Sequence, residues 1–244
     1  MSRVRWSRLP ALAALPALAA LAVTGCSGGG GSTSAHATQS TGQATSTPSI
    51  TTTAYTATQL RAALLTKING QAPAEPVEAG QYGSLAEVKA TKDTMTGVKV
   101  KPAACAQTTV TGFNSPEFAT VPATVSTFKV GSNGVSEVLL SPSSPTAALA
   151  LKNSIPSSCA RYTATVKGKT FVYTVSERTV SHLAQQARAM NIEATGSESI
   201  NVWSVVYRAS DFVGAVTIVG PNASATVATT LAAQAYAHAA KTLH

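Results

Sequence analysis

The chain has 244 residues, 44% hydrophobic and only 11% charged, enough for one folded domain with appended segments. Its formal net charge of +8 becomes +5, from 15 basic and 10 acidic residues, once Arg3, Arg5 and Arg8 of the leader are set aside. The other basic residues are scattered along the sequence without interleaved aromatics, which argues against a nucleic-acid partner. The densest basic stretch, Lys89, Lys92, Lys99 and Lys101, alternates with polar residues and reads as a solvated face.

Residues 1–25 read as a secretory signal. Arg3, Arg5 and Arg8 form the positive region, Leu9 to Val23 the apolar stretch, and Thr24 and Gly25 the small residues before Cys26. The apolar stretch is too short for a stable membrane span. The ending LAVTGC resembles the lipobox of bacterial lipoproteins. In that family the chain is cut before the cysteine, here between Gly25 and Cys26, and the sulfur receives a diacylglyceryl group. Two acyl chains anchor stably where one anchors only marginally. The resemblance therefore implies a protein held at the outer face of the cytoplasmic membrane, as in a Gram-positive type envelope.

Residues 26–57 read as the tether. Between Ser27 and Thr58, 16 of 32 residues are Ser or Thr, five are Gly, and none is formally charged. Such a segment buries too little apolar surface to offset its ordering entropy. It is expected to be a flexible spacer, on the order of 30 Å from end to end as a coil.

Residues 58–244 read as one folded domain. A first short helix is expected from Thr58 to Asn69, where Leu60, Leu64, Leu65 and Ile68 share a face and Gly70 ends the run. Residues 71–101 read as mostly loop, with a helical piece near Leu85 to Ala90. A helical turn is expected at Pro102 to Gln107. Thr124 to Val130 and Val135 to Leu140 read as a hairpin about Gly131–Gly134. Ser144 and Pro145 open a helix that runs to about Asn153. Tyr162 to Val166 and Thr170 to Ser176 form a second hairpin about Gly168. Leu183 to Met190, rich in Ala, Gln and Arg, reads as a weak helix. Ser199 to Ala209 and Phe212 to Val219 form a third strand pair. Asn222 or Ser224 caps a last helix with Val227, Leu231, Ala235, Ala239 and Leu243 along one face. Hairpins broken by helices, without regular strand–helix alternation, predict an α+β domain. Its antiparallel sheet is expected to have about five or six strands, with helices mainly on one face.

With Cys26 lipidated, Cys105 and Cys159 remain, an even number in an oxidising compartment, and a disulfide between them is expected. The alternative is two buried thiols.

Residues with chemical potential are few. Ser126 and Lys129 reproduce the Ser-x-x-Lys spacing of penicillin-recognising enzymes. With 26 Ser and 10 Lys in 244 residues, about one such tetrad is expected by chance. Val125, Thr127, Phe128 and Val130 also favour a strand, where residues three apart point to opposite faces. No metal-binding spacing links His36, His182, His238 or His244 to other ligands, and no nucleophile elbow, phosphate loop or dinucleotide fingerprint exists. No metal, cofactor or catalytic residue is assigned. His238 reads as a solvent-facing helix residue. Glu75 with Glu78, and Glu193 with Glu198, read as solvated loop pairs. Trp203, Tyr207 and Phe212 read as core, and Arg208 with Asp211 as a pair at the intervening turn.

The order of segments QLRAALL, PAACAQ, TAALALKNSI, SSCARY and YRASDFVGAVTIVG, ahead of an Ala-rich C-terminal helix, carries a second resemblance. It is similar to the sensor-domain lipoproteins of actinobacteria, which resemble the extracellular sensor domain of PknH-type receptor kinases. The resemblance implies an α+β fold and a cleft that binds an unidentified ligand. It carries over no binding residue. The kinase sensor domain has two disulfides, whereas this chain has cysteines for one. The expected function is a non-enzymatic, membrane-anchored ligand-binding or sensor module whose partner is a small-molecule or lipid ligand, or an envelope protein. The alternatives are an accessory partner of another envelope protein and a hydrolase of unrecognised type.

Overall fold

Period-two alternation sets the architecture of this chain, with helices added where alternation stops. In the computed structural model, residues 55–107, 112–152, 155–196 and 199–243 are described. They fall in one compact unit, and the other unit, Leu21–Thr53, lies outside them. So do the leader, Gly25, Cys26, His36, Glu198 and His244.

The strands are β1 (Glu78–Gln81), β2 (Lys99–Lys101), β3 (Pro122–Val130), β4 (Asn133–Leu140), β5 (Arg161–Val166), β6 (Lys169–Thr179), β7 (Gln186–Thr195), β8 (Ile200–Arg208) and β9 (Val213–Val219). The helices are α1 (Ala57–Ala62), α2 (Ala86–Met95), α3 (Ser144–Lys152) and α4 (Ala225–Leu243). All nine strands form one sheet in the order β1-β3-β4-β9-β8-β7-β6-β5-β2, and every pairing is antiparallel.

The expectation of five or six strands with helices mainly on one face is thus corrected. The α+β class gives way to a mostly β fold, a nine-stranded antiparallel sheet with only a few helices, and these lie on both faces. Two physical reasons account for the difference. The segment expected as a weak helix is β7, because Ala187 and Ala189 alternate into the core under α4 while β6 and β8 complete its backbone hydrogen bonds. Local helix propensity of Ala, Gln and Arg is outweighed by that tertiary pairing. The edge strands β1 and β2, of four and three residues, are too short to show any period.

The first helix is also shorter than expected. Thr56 caps it through a reciprocal capping box with Gln59, and it ends by Ala63. Leu64 and Ile68 are buried beyond its end. On α4 the buried stripe is Ala228, Leu231, Ala232, Ala235 and Ala239. Val227, expected to face inward, is 43% exposed because the stripe runs one residue further round the helix.

Each face of the sheet carries its own core. On the α4 face, Phe128, Val135, Leu139, Trp203, Val205, Tyr207, Val216 and Ile218 meet α1 and α4. On the α3 face there are two clusters. One gathers Phe113, Phe118, Val125, Leu140, Val206 and Ala215 around Ala147 and Ala150 of α3. The other gathers Tyr162, Ala164, Val175, Met190, Ile192 and Val202 around Cys105 and Cys159.

Candidate functional site

The Ser-x-x-Lys pair is taken apart by the strand that contains it. Ser126 lies on the α4 face, 1% exposed, whereas Lys129 is exposed on the other face. The two cannot act on one substrate. Ser126 instead faces Glu137, its cross-strand partner on β4. Glu137 is fully buried, and its Oε2 accepts a 2.9 Å hydrogen bond from the Leu65 backbone N–H. Burial pushes its pKa up to about 7, against the lowering effect of the Leu65 bond. Burial raises the Tyr207 hydroxyl well above its ordinary value, and the Glu137 charge adds to the shift. Ser126 Oγ, Glu137 Oε1 and Tyr207 Oη have no hydrogen-bond partner among the described residues. A raised carboxyl marks many active sites. Here α1, Leu65 and the sheet seal it from any substrate, so the cluster is an interior polar island rather than a catalytic centre.

The α3 face offers a different arrangement. Antiparallel register aligns Thr127, Ser136, Thr217 and Ser204 in one row across β3, β4, β9 and β8. Thr127, Ser136 and Thr217 are half-buried, and Ser204 is fully buried. Ser204 and Thr217 share a 2.9 Å hydrogen bond. The rows on either side are apolar along most of their length, with Lys129 and Gly134 opening one of them beside Thr127 and Ser136, and Arg188 following Val206 in the other. Val125, Val138, Ala215 and Val206 belong to the α3 cluster, and Val219, Val202 and Ile192 to the disulfide cluster. The hydroxyl row therefore divides two cores that helical cover has reached from opposite ends. At its β7–β6 end stand Met190 and Glu177, and Glu177 Oε1 accepts from Arg188 Nη1 at 3.1 Å. Arg188 Nη2 donates to the Ala150 carbonyl of α3 at 3.2 Å. Half-buried hydroxyls between apolar walls offer both donors and acceptors to a small polar or amphipathic ligand. This is the candidate site. Sequence reasoning did not single out any of its hydroxyls, because only the register of four strands brings them into line.

Cys105 and Cys159 are joined by a disulfide, with both residues fully buried and their Cα atoms 5.4 Å apart. The bridge ties two short 3₁₀ turns, Ala103–Gln107 and Ser157–Cys159, onto β5. Trp203, Tyr207 and Phe212 are buried in the α4-face core. Arg208 and Asp211 are not paired with each other. Arg208 Nη2 donates to Ser144 Oγ, and Asp211 Oδ2 accepts from Ser210 Oγ. His238 is half-buried rather than solvent-facing, and its Nε2 is buried without a partner among the described residues. His182 sits exposed in the turn before β7, with φ +63°. Glu78 and Glu193 lie on β1 and β7, not in loops.

An open groove of about 400 Å³ lies between the end of α2 and the β5–β6 turn, lined by Asp93, Thr96, Val98, Val166 and Lys167 among others. Its polar groups are solvent-facing, and none is buried as a specificity element would be. Among the described residues no three His, Cys, Asp or Glu side chains come together as a metal site. No described helix is long and apolar enough to cross a membrane.

No protein-family model matches the sequence, and no curated protein is significantly similar to it. Solved structures do match. One is an uncharacterised protein from Mycobacterium smegmatis, 16% identical, with a TM-score of 0.41 over 59% of this chain and 76% of the other. Another is the extracellular domain of PknH from Mycobacterium tuberculosis, 14% identical, with a TM-score of 0.51 over 77% of this chain and 98% of the other. The domain of this chain shares the fold of that extracellular domain.

Proposed function

We propose that this protein is a membrane-anchored, extracytoplasmic, non-enzymatic ligand-binding module of sensor type. The half-buried hydroxyl row Thr127–Ser136–Thr217–Ser204, set between two apolar clusters, is the observation that carries the binding role. The lipobox ending in Cys26 supports anchoring by lipid. The Cys105–Cys159 disulfide suits an oxidising compartment outside the cytoplasm. The fold shared with the extracellular domain of PknH is consistent with the same placement. The absence of an accessible nucleophile–base pair among the described residues favours binding over catalysis.

Two measurements test the proposal. Native mass spectrometry of the full chain, purified from an actinobacterial host, is expected to show an extra mass that denaturation removes. The variant Thr127→Val with Ser136→Ala should lose that mass while melting at the same temperature. A bare mass in the parent, before and after incubation with envelope extract, would sink the binding role. Fractionation of Cys26→Ala is expected to release the chain or leave it unprocessed. A Cys26→Ala chain that stays on the membrane at mature size defeats the lipid anchor.

A further inference from the structure

The cations that lie scattered in the sequence are gathered by topology onto one surface. Past the stretch of β7 that α4 covers, the α4 face continues over the far end of β7 and across β6, β5 and β2 as an open wing. Register places Lys99 and Lys101 of β2, Arg161 of β5 and Arg178 of β6 on this face, and all four are exposed. Lys99 and Lys101 stand about 7 Å apart along their strand, and Arg161, on the next strand and two residues past Thr163, the partner of Lys101, is a diagonal neighbour of Lys101 at about 8 Å. Glu193 is the one carboxylate the register puts among them. None of Lys99, Lys101 and Arg161 is in an ion pair among the described residues. Arg178 lies 4.7 Å over the Trp203 ring.

The ground between the cations is hydroxylic. Thr163 and Thr165 of β5, Thr170, Thr174 and Ser176 of β6, and Thr195 of β7 point the same way. Thr165 and Thr170 are held together by a 3.0 Å contact between their hydroxyls. Val172 is the apolar exception, and it is half-buried. The composition of the surface restricts what it fits. Nucleic-acid bases need exposed aromatic platforms, and Trp203 is buried beneath Arg178. A bilayer needs exposed large apolar residues, and the one such residue among those described, Val227, is on α4. A line of cations over a hydroxyl-rich floor matches a chain that carries negative charge and many hydroxyl groups together.

We propose that the open wing, centred on Lys99, Lys101 and Arg161, binds an anionic polysaccharide with a charge on its repeating sugar units. The cations hold the charges, and the threonine hydroxyls bond the sugar hydroxyls. The surface is on the opposite face of the sheet from the hydroxyl row, and its assignment stands or falls independently of that site.

The test uses the full chain in detergent and three polymers of matched length. Polygalacturonate carries both charge and sugar hydroxyls, dextran carries the sugar alone, and poly-L-glutamate carries the charge alone. Binding to polygalacturonate is expected at low salt, weakening as salt rises from 50 to 300 mM. Poly-L-glutamate should bind at least tenfold more weakly, and dextran not at all. The variant Lys99→Gln/Lys101→Gln/Arg161→Gln should lose at least tenfold in affinity for polygalacturonate. The control Lys89→Gln/Lys92→Gln/Lys241→Gln makes the same change in net charge elsewhere and should stay within twofold. Thr163→Val with Thr174→Val, which alters no charge, should weaken binding several-fold. All substituted positions are exposed or half-buried, and circular dichroism checks that each variant is folded. Equal binding of poly-L-glutamate, equal losses in the two triple variants, or no binding of polygalacturonate overturns the proposal. A chain that carries a native small ligand yet ignores polygalacturonate keeps the binding-module reading and loses this one.

Discussion

The ring of Tyr207 lies across the α-carbon of Gly214, its cross-strand partner, with no room for a side chain between them. A methyl at that position would overlap the ring carbon that bears the hydroxyl. The ring cannot swing away, because Phe212 and Tyr236 meet it edge-on at centroid distances of 6.5 and 5.8 Å. Gly214→Ala is therefore expected to cost about 1–3 kcal/mol through overpacking. Gly134→Ala, on β4 with nothing near its α-carbon, should cost about 0.5 kcal/mol or less. Urea denaturation of the two variants checks this, and equal midpoints would show that the close approach does not limit the core.

Glu137 makes stability depend on pH in an unusual direction. Its folded pKa of about 7 lies above its ordinary value of 4.5. Between those values the folded chain keeps a proton that the unfolded chain releases. Stability from this group is thus greatest below the ordinary value and falls as pH rises through 7. The loss is on the order of 3 kcal/mol. Glu137→Gln can still accept from Leu65 and carries no charge to bury. Thermal melts from pH 4.5 to 8 should fall for the parent relative to the variant. Parallel curves would show that the carboxyl is ionised without penalty.

Ser126 supplies a test of the accidental tetrad. Its hydroxyl is buried with no partner among the described residues, so Ser126→Ala removes an unsatisfied group. The variant is expected to be as stable as the parent or slightly more so. A fluorescent β-lactam should label neither protein. Labelling of the parent that is lost in Ser126→Ala would restore the enzyme reading.

The Cys105–Cys159 bridge spans 54 positions of sequence. On the chain-entropy model, closing such a loop contributes about 4 kcal/mol. Cys105→Ala with Cys159→Ala should lower the denaturation midpoint accordingly. The reduced parent should match it. A double variant as stable as the oxidised parent would mean that the turns carrying the cysteines hold their places by packing alone.

Much of the sheet was legible because its hairpins announce themselves. Gly131 and Gly168, both at positive φ, mark tight turns between runs of alternating residues, and β3–β4 and β5–β6 follow. The last helix was legible in its spacing of Leu231, Ala235 and Ala239, less so in its exact face. β7 was hidden because Ala, Gln and Arg favour helix locally, and only its two neighbours make it a strand. β1 and β2 were hidden because three or four residues hold no period. The same limit hid both candidate surfaces. Thr127, Ser136, Thr217 and Ser204 do not stand out singly, and Lys99 with Lys101 is far in sequence from Arg161 and Arg178. Each group exists only as a row or a diagonal across paired strands, and register between distant strands is not written in any local pattern.

The open sheet leaves two edges, and both end in very short strands. At one of them Lys99 and Lys101 flank Val100, so any second chain that tried to add a strand there would bring its own lysines against these. Short, charged edges discourage that pairing. Wherever copies of the chain are crowded together, the same lysines would keep neighbours from zipping into a continuous sheet.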